Sequence, residues 1–305
     1  MEAASPQPPI RTSAILAFWA PLAATWLMMA MEGPYLSAIV ARLGHPVENL
    51  AAYGLAFSLA WLAESPIIML LTASTALAKD GPSFRALRRF VGRLNGGVTA
   101  LLVGISLPPV FRAVATVLGL PPDVARLAHW ATLCLLPWPA AIGYRRFYQG
   151  VMVRHGQTRK VAYGTVVRLG AMSFTAAALA LGTRLPGACI GALSLSAGVV
   201  AEAAASRWMA RRIVAALRKD PSEAPEPSQM ELARFYLPLA LTSVLAMSVG
   251  PLLTFFMGHG TNAVLCLAAW PVVQSFTFFF RSGGVAYQEV GVALTGDQGQ
   301  HAPEV

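Results

Sequence analysis

Glu64 is followed directly by Ser65 and Pro66, and Arg281, 217 residues further on, by Ser282, Gly283 and Gly284. Both ionisable residues fall inside long apolar stretches. A charge at the centre of a helix in hydrocarbon costs about 2.5–3.5 kcal/mol on insertion scales, so each must face protein or water. A proline cannot donate to the helical ladder and glycine weakens it, so Pro66, Gly283 and Gly284 are expected helix breaks. A charge joined to a break exposes backbone polar groups in a cavity, which makes Glu64, Ser65, Arg281 and Ser282 candidate binding contacts. A plain packing kink explains the Pro and Gly residues equally well. Glu32 lies at the end of the first apolar stretch and is a further candidate, although a solvated Glu is ordinary near a span's outer end. Arg168 and Glu202 lie in neighbouring stretches and are expected to neutralise each other as a structural pair. Arg145 and Arg146 are expected at the membrane interface, where snorkelling suffices.

Nothing points to catalysis. The five histidines lack metal-ligand spacing, and Cys134, Cys189 and Cys266 sit singly in apolar stretches. The serines of GALSLSAG at Gly191 do not follow a nucleophile-elbow pattern, and LNGGV at Leu94 opens an apolar stretch rather than a phosphate loop. No enzyme, resident cofactor or metal site is expected.

These residues need elements that hold them in a membrane. Of the 305 residues 56% are hydrophobic and 12% charged, with mean hydropathy +0.57, whereas soluble domains carry about 25% charged residues. Apolar windows of spanning length occur near Ser13–Met31, Leu50–Ala78, Gly92–Phe111, Leu127–Tyr148, Val161–Gly182, Pro186–Trp208, Phe235–Met257 and Ala263–Leu294. The reading is an all-α polytopic membrane protein of about eight spans, its partner the lipid bilayer. Basic clusters follow the second, fourth and sixth spans, and the other connections hold few Lys or Arg, so both termini are expected in the cytoplasm of a cell with an inner membrane. The net charge of +9 is thereby explained without a nucleic acid. The first span has no cleavage site after it and is expected to be retained.

An internal repeat divides the chain. Phe18 to Ser65 aligns without a gap on Phe235 to Ser282: FWAPLAAT falls on FYLPLALT, Gly33-Pro34 on Gly250-Pro251, LAAY on LAAW. Glu64 and Arg281 are then equivalent positions of opposite charge at matching depth, each of which can be neutralised inside its own lobe. The offset spans six helices, an even number, so the copies share one orientation. Between them DPSEAPEPSQ is polar and Pro-rich, a linker. The expected organisation is a tail at 1–12, a six-helix lobe at 13–219, the linker at 220–229, two helices of a second lobe at 230–294, and a polar tail at 295–305.

LSAIVARLGHPVENLAAYGLAFSLA, from Leu36 to Ala60, resembles the first-to-second helix junction of the MATE-like multidrug/oligosaccharidyl-lipid/polysaccharide (MOP) flippase superfamily. With FYLPLAL and VAYQEV, which contains Tyr287 and Glu289, the chain is most similar to its progressive ankylosis family. The resemblance implies two six-helix lobes rocking about a cleft, hence a secondary transporter that exports a small solute by alternating access. Within the progressive ankylosis family the cargo is anionic, which would make Arg281 its contact. Many multidrug members carry an Asp where this chain has Leu36, so Glu32, one turn earlier, would replace it in coupling to H+ or Na+. That branch implies cation-coupled efflux of drugs or lipid-linked cargo. Helices nine to twelve have no counterpart, so the chain reads as C-terminally incomplete, needing an oligomer or second chain to complete the lobe. The rival reading is a non-transporting remnant or membrane scaffold.

Overall fold

Four prolines decide where the expected spans bend. In the computed structural model, which describes residues 12–220, 222 and 225–296, the first span is α1 (Thr12–Ala30) and α2 (Glu32–Val40). They part at Met31, where Pro34 has no N–H to offer the carbonyl of Ala30. The second is α3 (Pro46–Glu64), a 3-10 turn over Ser65–Ile67, and α4 (Leu70–Leu77), broken at Pro66. The third is α5 (Gly81–Ser106) and α6 (Pro108–Val117), which meet at a 76° bend. Pro108 forces the preceding Leu107 into extended backbone (φ −62°, ψ 133°). The fourth is α7 (Pro122–Cys134) and α8 (Pro137–Arg154), interrupted before Pro137. Then follow α9 (Thr158–Gly182), α10 (Gly187–Met209), the short α11 (Arg211–Lys219), α12 (Gln229–Gly258) and α13 (Ala263–Gly296). No strand occurs among the described residues. Most of the expected tails, and positions 221, 223 and 224 of the linker, lie outside the described residues.

Among the described residues five helical stretches are long and apolar enough to cross hydrocarbon singly, and the bent pair α5–α6 makes a sixth. The eight expected spans are reached only by adding the interrupted pairs α1–α2 and α7–α8. The second half of the repeat departs from expectation. α13 runs unbroken through Ser282, Gly283 and Gly284, and α12 through Pro251. Glycine keeps its N–H, so the α13 ladder survives at an entropic cost of about 1 kcal/mol; Pro66 and Pro251 each remove a donor, and of the two only Pro66 sits where the helix gives way to a 3-10 turn.

Caps mark the helix starts. The side chain of Asp80 accepts from Ser83 N at 2.8 Å to open α5, and Ser228 with Glu231 forms a capping box on α12. Asn49 joins α3 to α10 by donating to the carbonyls of Gly44 and His45 and accepting from Ala188 N at 2.8 Å.

Contacts group the chain into two units. In Tyr35–Val272, α10 packs along α9 and lies against α8 and α7, α3 packs on α7, and α4 on α8. Small residues permit this closeness. A Cβ on Gly150 would lie 2.5 Å from the Leu71 carbonyl oxygen and 2.6 Å from Ser74 Cβ. Gly150→Val is therefore expected to lower the stability of the detergent-solubilised chain by about 1–3 kcal/mol, read from its thermal unfolding; an unchanged transition would contradict the α4–α8 contact. In the unit formed by Met1–Pro34 and Val273–Val305, Gly33 lies against Ser275, the ring of Trp26 meets Phe278 edge-on at 6.1 Å, and Trp19 Nε1 donates to Gly283 O at 3.2 Å.

α11 is absent from the sequence expectation. Its nine residues, RRIVAALRK, bury Ile213, Val214 and Leu217 and turn Arg211, Arg212, Arg218 and Lys219 outward. Such a helix lies on a surface rather than crossing hydrocarbon.

Candidate functional site

The interior of the larger unit holds five ionisable side chains from four helices. Glu64 ends α3, Arg145 and Arg146 lie on α8, Arg168 on α9 and Glu202 on α10. Glu202 is fully buried and carries most of the pairing. It accepts from Arg145 Nη1 at 2.5 Å and from Gln149 Nε2 at 3.0 Å, and Arg168 Nη1 stands 3.6 Å away. Glu64, also buried, accepts a hydrogen bond from the Trp138 indole. The Arg168 guanidinium lies 5.7 Å from the centroid of that same Trp138 ring, a cation–π distance. Trp138 thus connects the two carboxylates through one aromatic side chain.

Three guanidiniums face two carboxylates here, and the surplus is Arg146. It is half-buried, its Nε is enclosed by protein, and it makes neither a hydrogen bond nor an ion pair among the described residues. Glu64, Glu202, Arg145, Arg168 and the Tyr236 phenol all lie within its electrostatic reach. A guanidinium keeps its proton at any physiological pH and presents five donors. Chemically the cluster can neutralise and hydrogen-bond one further negative group.

At the α3 break, Ser65 Oγ donates to the Leu62 carbonyl at 2.7 Å, while the Pro66 carbonyl accepts from the Tyr236 hydroxyl of α12 at 2.6 Å. The Ser65 hydroxyl is thereby occupied locally. Ser282 is buried and likewise occupied, donating to Phe279 O at 2.6 Å. Arg281 is exposed on α13 and has no ion pair among the described residues; Gly283 and Gly284 beside it stay helical. Glu32 is buried at the start of α2, and Leu36 is fully buried. Arg168 and Glu202 lie together, but not as an isolated pair, since Arg145 approaches Glu202 more closely. The side chains of Tyr287 and Glu289 fall outside the described residues.

Sequence reasoning passed over Trp138, Arg145, Arg146, Gln149 and Tyr236. The error over Arg145 has an identifiable cause. Setting the fourth span at Leu127–Tyr148 places Arg145 at the span's end, whereas α8 starts only at Pro137 and runs to Arg154. Arg145 is then about 13 Å inside the helix end at 1.5 Å per residue, and it is 3% exposed. A signal was present: Trp138, Ile142, Arg145 and Gln149 recur at the spacing of one helical face.

Solved structures share this architecture. A MOP superfamily transporter from Pyrococcus furiosus, described by a binding pocket of reversed polarity that suggests a different function, is 17% identical with TM-score 0.66, over 93% of this chain and 64% of its own. An inward-facing multidrug resistance MATE transporter of the MOP superfamily is 14% identical with TM-score 0.61, over 92% and 65%. A MATE protein in complex with MaD3S is 18% identical with TM-score 0.64, over 93% and 66%. The chain spans about two thirds of the length of these structures. No protein-family profile and no curated protein matches it. The protein is all-α and multi-pass, and its fold is MATE-like, that of MOP superfamily transporters.

Proposed function

We propose that the chain forms the substrate-binding part of a secondary transporter that exports a small anionic solute by alternating access between helical lobes. The observation that supports this is Arg146, a half-buried cation in a membrane interior with no carboxylate of its own. A guanidinium in that setting favours a negative ligand strongly, because water competes little for it. Arg281 is a second cation on offer, at the position the repeat equates with Glu64. The resemblance to progressive ankylosis proteins suggests pyrophosphate, nucleotide or citrate as the anion class. The Tyr236–Pro66 hydrogen bond suits a cycle of opening and closing, since a single bond of this kind contributes about 0.5–1.5 kcal/mol net. On this reading residues 13–219 form one lobe and 230–294 belong to the other. The basic connections after the second, fourth and sixth spans support an inner-membrane protein with both termini in the cytoplasm.

The test is efflux of labelled anions from liposomes containing the purified chain. Arg281→Gln is expected to cut anion flux about tenfold or more, the loss of one charge-assisted contact. Unchanged flux removes Arg281 from the pathway, and no anion flux from the unaltered chain overturns the reading itself. A second reading is supported by Glu64, a buried carboxylate whose direct partner is a neutral indole. Such a group can take up H+ or Na+, and cation-coupled efflux of drugs or lipid-linked cargo would then depend on Glu64 or Glu32. Restored resistance in a drug-hypersensitive host, lost on Glu64→Gln, would favour it.

A further inference from the structure

The corner where α10 meets α11 is chemically unlike the interior cluster. A cavity of about 290 Å³ opens there, lined by Arg207, Arg211, Val214, Ala215, Arg218 and Lys219. Four of these six are cations and none is acidic. The carboxylate that follows Lys219 in sequence, Asp220, is engaged elsewhere: it accepts from Gly81 N at 2.9 Å and from Ser222 N at 3.2 Å. The floor is apolar, because Val214 belongs to the buried face of α11. Two of the cations are held in place by rings. The Arg207 guanidinium lies 5.2 Å from the Tyr148 centroid and that of Arg211 4.5 Å from the Trp208 centroid.

We propose that this corner binds the phosphate of an anionic phospholipid headgroup. Position argues for a lipid over a diffusible anion. α11 follows the end of a membrane-crossing helix, packs its apolar face on the core and turns its cations outward at that end. Trp208, 62% exposed beside the cations, is the residue type enriched at headgroup level. Acyl chains would lie along the exposed Trp208 ring while the phosphate meets Arg211, Arg218 and Lys219. This inference rests on the membrane-spanning fold alone and is independent of what is transported.

The full chain, purified in zwitterionic detergent, is mixed with equal amounts of phosphatidylglycerol and phosphatidylcholine, and retained lipid is counted by native mass spectrometry. Phosphatidylglycerol is expected to be retained in preference. Its retention should fall about fivefold for each cation removed in Arg211→Gln, Arg218→Gln and Lys219→Gln, with phosphatidylcholine unaffected. Millimolar inorganic phosphate should not displace it. Equal retention by the combined triple variant and the unaltered chain overturns the proposal, as does full displacement by inorganic phosphate, which would mark a site for a diffusible anion. If the triple variant does not fold, Ala215→Glu, a carboxylate added at an exposed lining position, must lower phosphatidylglycerol retention in the same assay, and failure to do so is equally decisive.

Discussion

Glu202→Ala is expected to lower the stability of the purified chain by about 3–5 kcal/mol, the cost of removing one partner from a buried ion pair. Glu202 is 0% exposed and receives Arg145 and Gln149 directly, with Arg168 alongside. Its loss leaves Arg145 and Arg168 in a low-dielectric interior without their nearest carboxylate, with Glu64 the remaining acid of the cluster. Glu202→Gln keeps an acceptor but no charge and should fall between the two. Adding Arg145→Met to Glu202→Gln should recover part of the loss, because removing both members of a buried pair is far milder than removing one. Equilibrium unfolding in mixed micelles gives the comparison. A cost under about 1 kcal/mol for Glu202→Ala would mean that the arginines reach water, as surface pairs do.

Arg146→Gln should show the opposite profile. The side chain has no partner among the described residues, so stability should move by less than about 1 kcal/mol. Removing this cation relieves repulsion from Arg145 and Arg168 and forfeits attraction to Glu64 and Glu202, contributions of opposite sign that offset. Anion flux, in contrast, should drop by about 10- to 100-fold, the equivalent of one hydrogen bond to a charged group. Arg146→Lys, which keeps the charge but not the planar fork, should restore only part of it. Full flux in Arg146→Gln liposomes together with a large loss of stability would assign Arg146 to the scaffold and sink the anion reading.

Together these two substitutions separate holding the lobe together from binding cargo. Both lie in one cluster, within electrostatic reach of each other, and yet their expected effects fall on different measurements. Glu202 is saturated with partners, whereas Arg146 has donors to spare.

Much of the architecture could be read from residue order. The apolar windows locate the membrane-crossing stretches, and the missing N–H of Pro66 marks the weak point at which α3 breaks, whereas α12 runs on through Pro238 and Pro251. Leu36 to Ala60 carries the resemblance to the MATE-like superfamily, and the structural neighbours agree on that fold. The breaks expected at Gly283 and Gly284 were not realised. Glycine only lowers the cost of leaving the helix, and whether the chain leaves depends on what surrounds it. The short α11 escaped notice because nine residues with a basic face look like a connection until their apolar side finds a core.

Composition and periodicity alone determined that this is a helical membrane protein with charges inside its spans, because hydrocarbon penalises unsatisfied backbone and lone charges wherever they occur. Which charges meet was decided by tertiary structure. Glu202 lies 57 residues from Arg145 and 53 from Gln149, and Trp138 is 74 from Glu64. No local pattern encodes such pairings. They arise when α3, α8, α9 and α10 pack side by side, and that packing is also what leaves Arg146 as the cation of this cluster with neither a hydrogen bond nor an ion pair among the described residues.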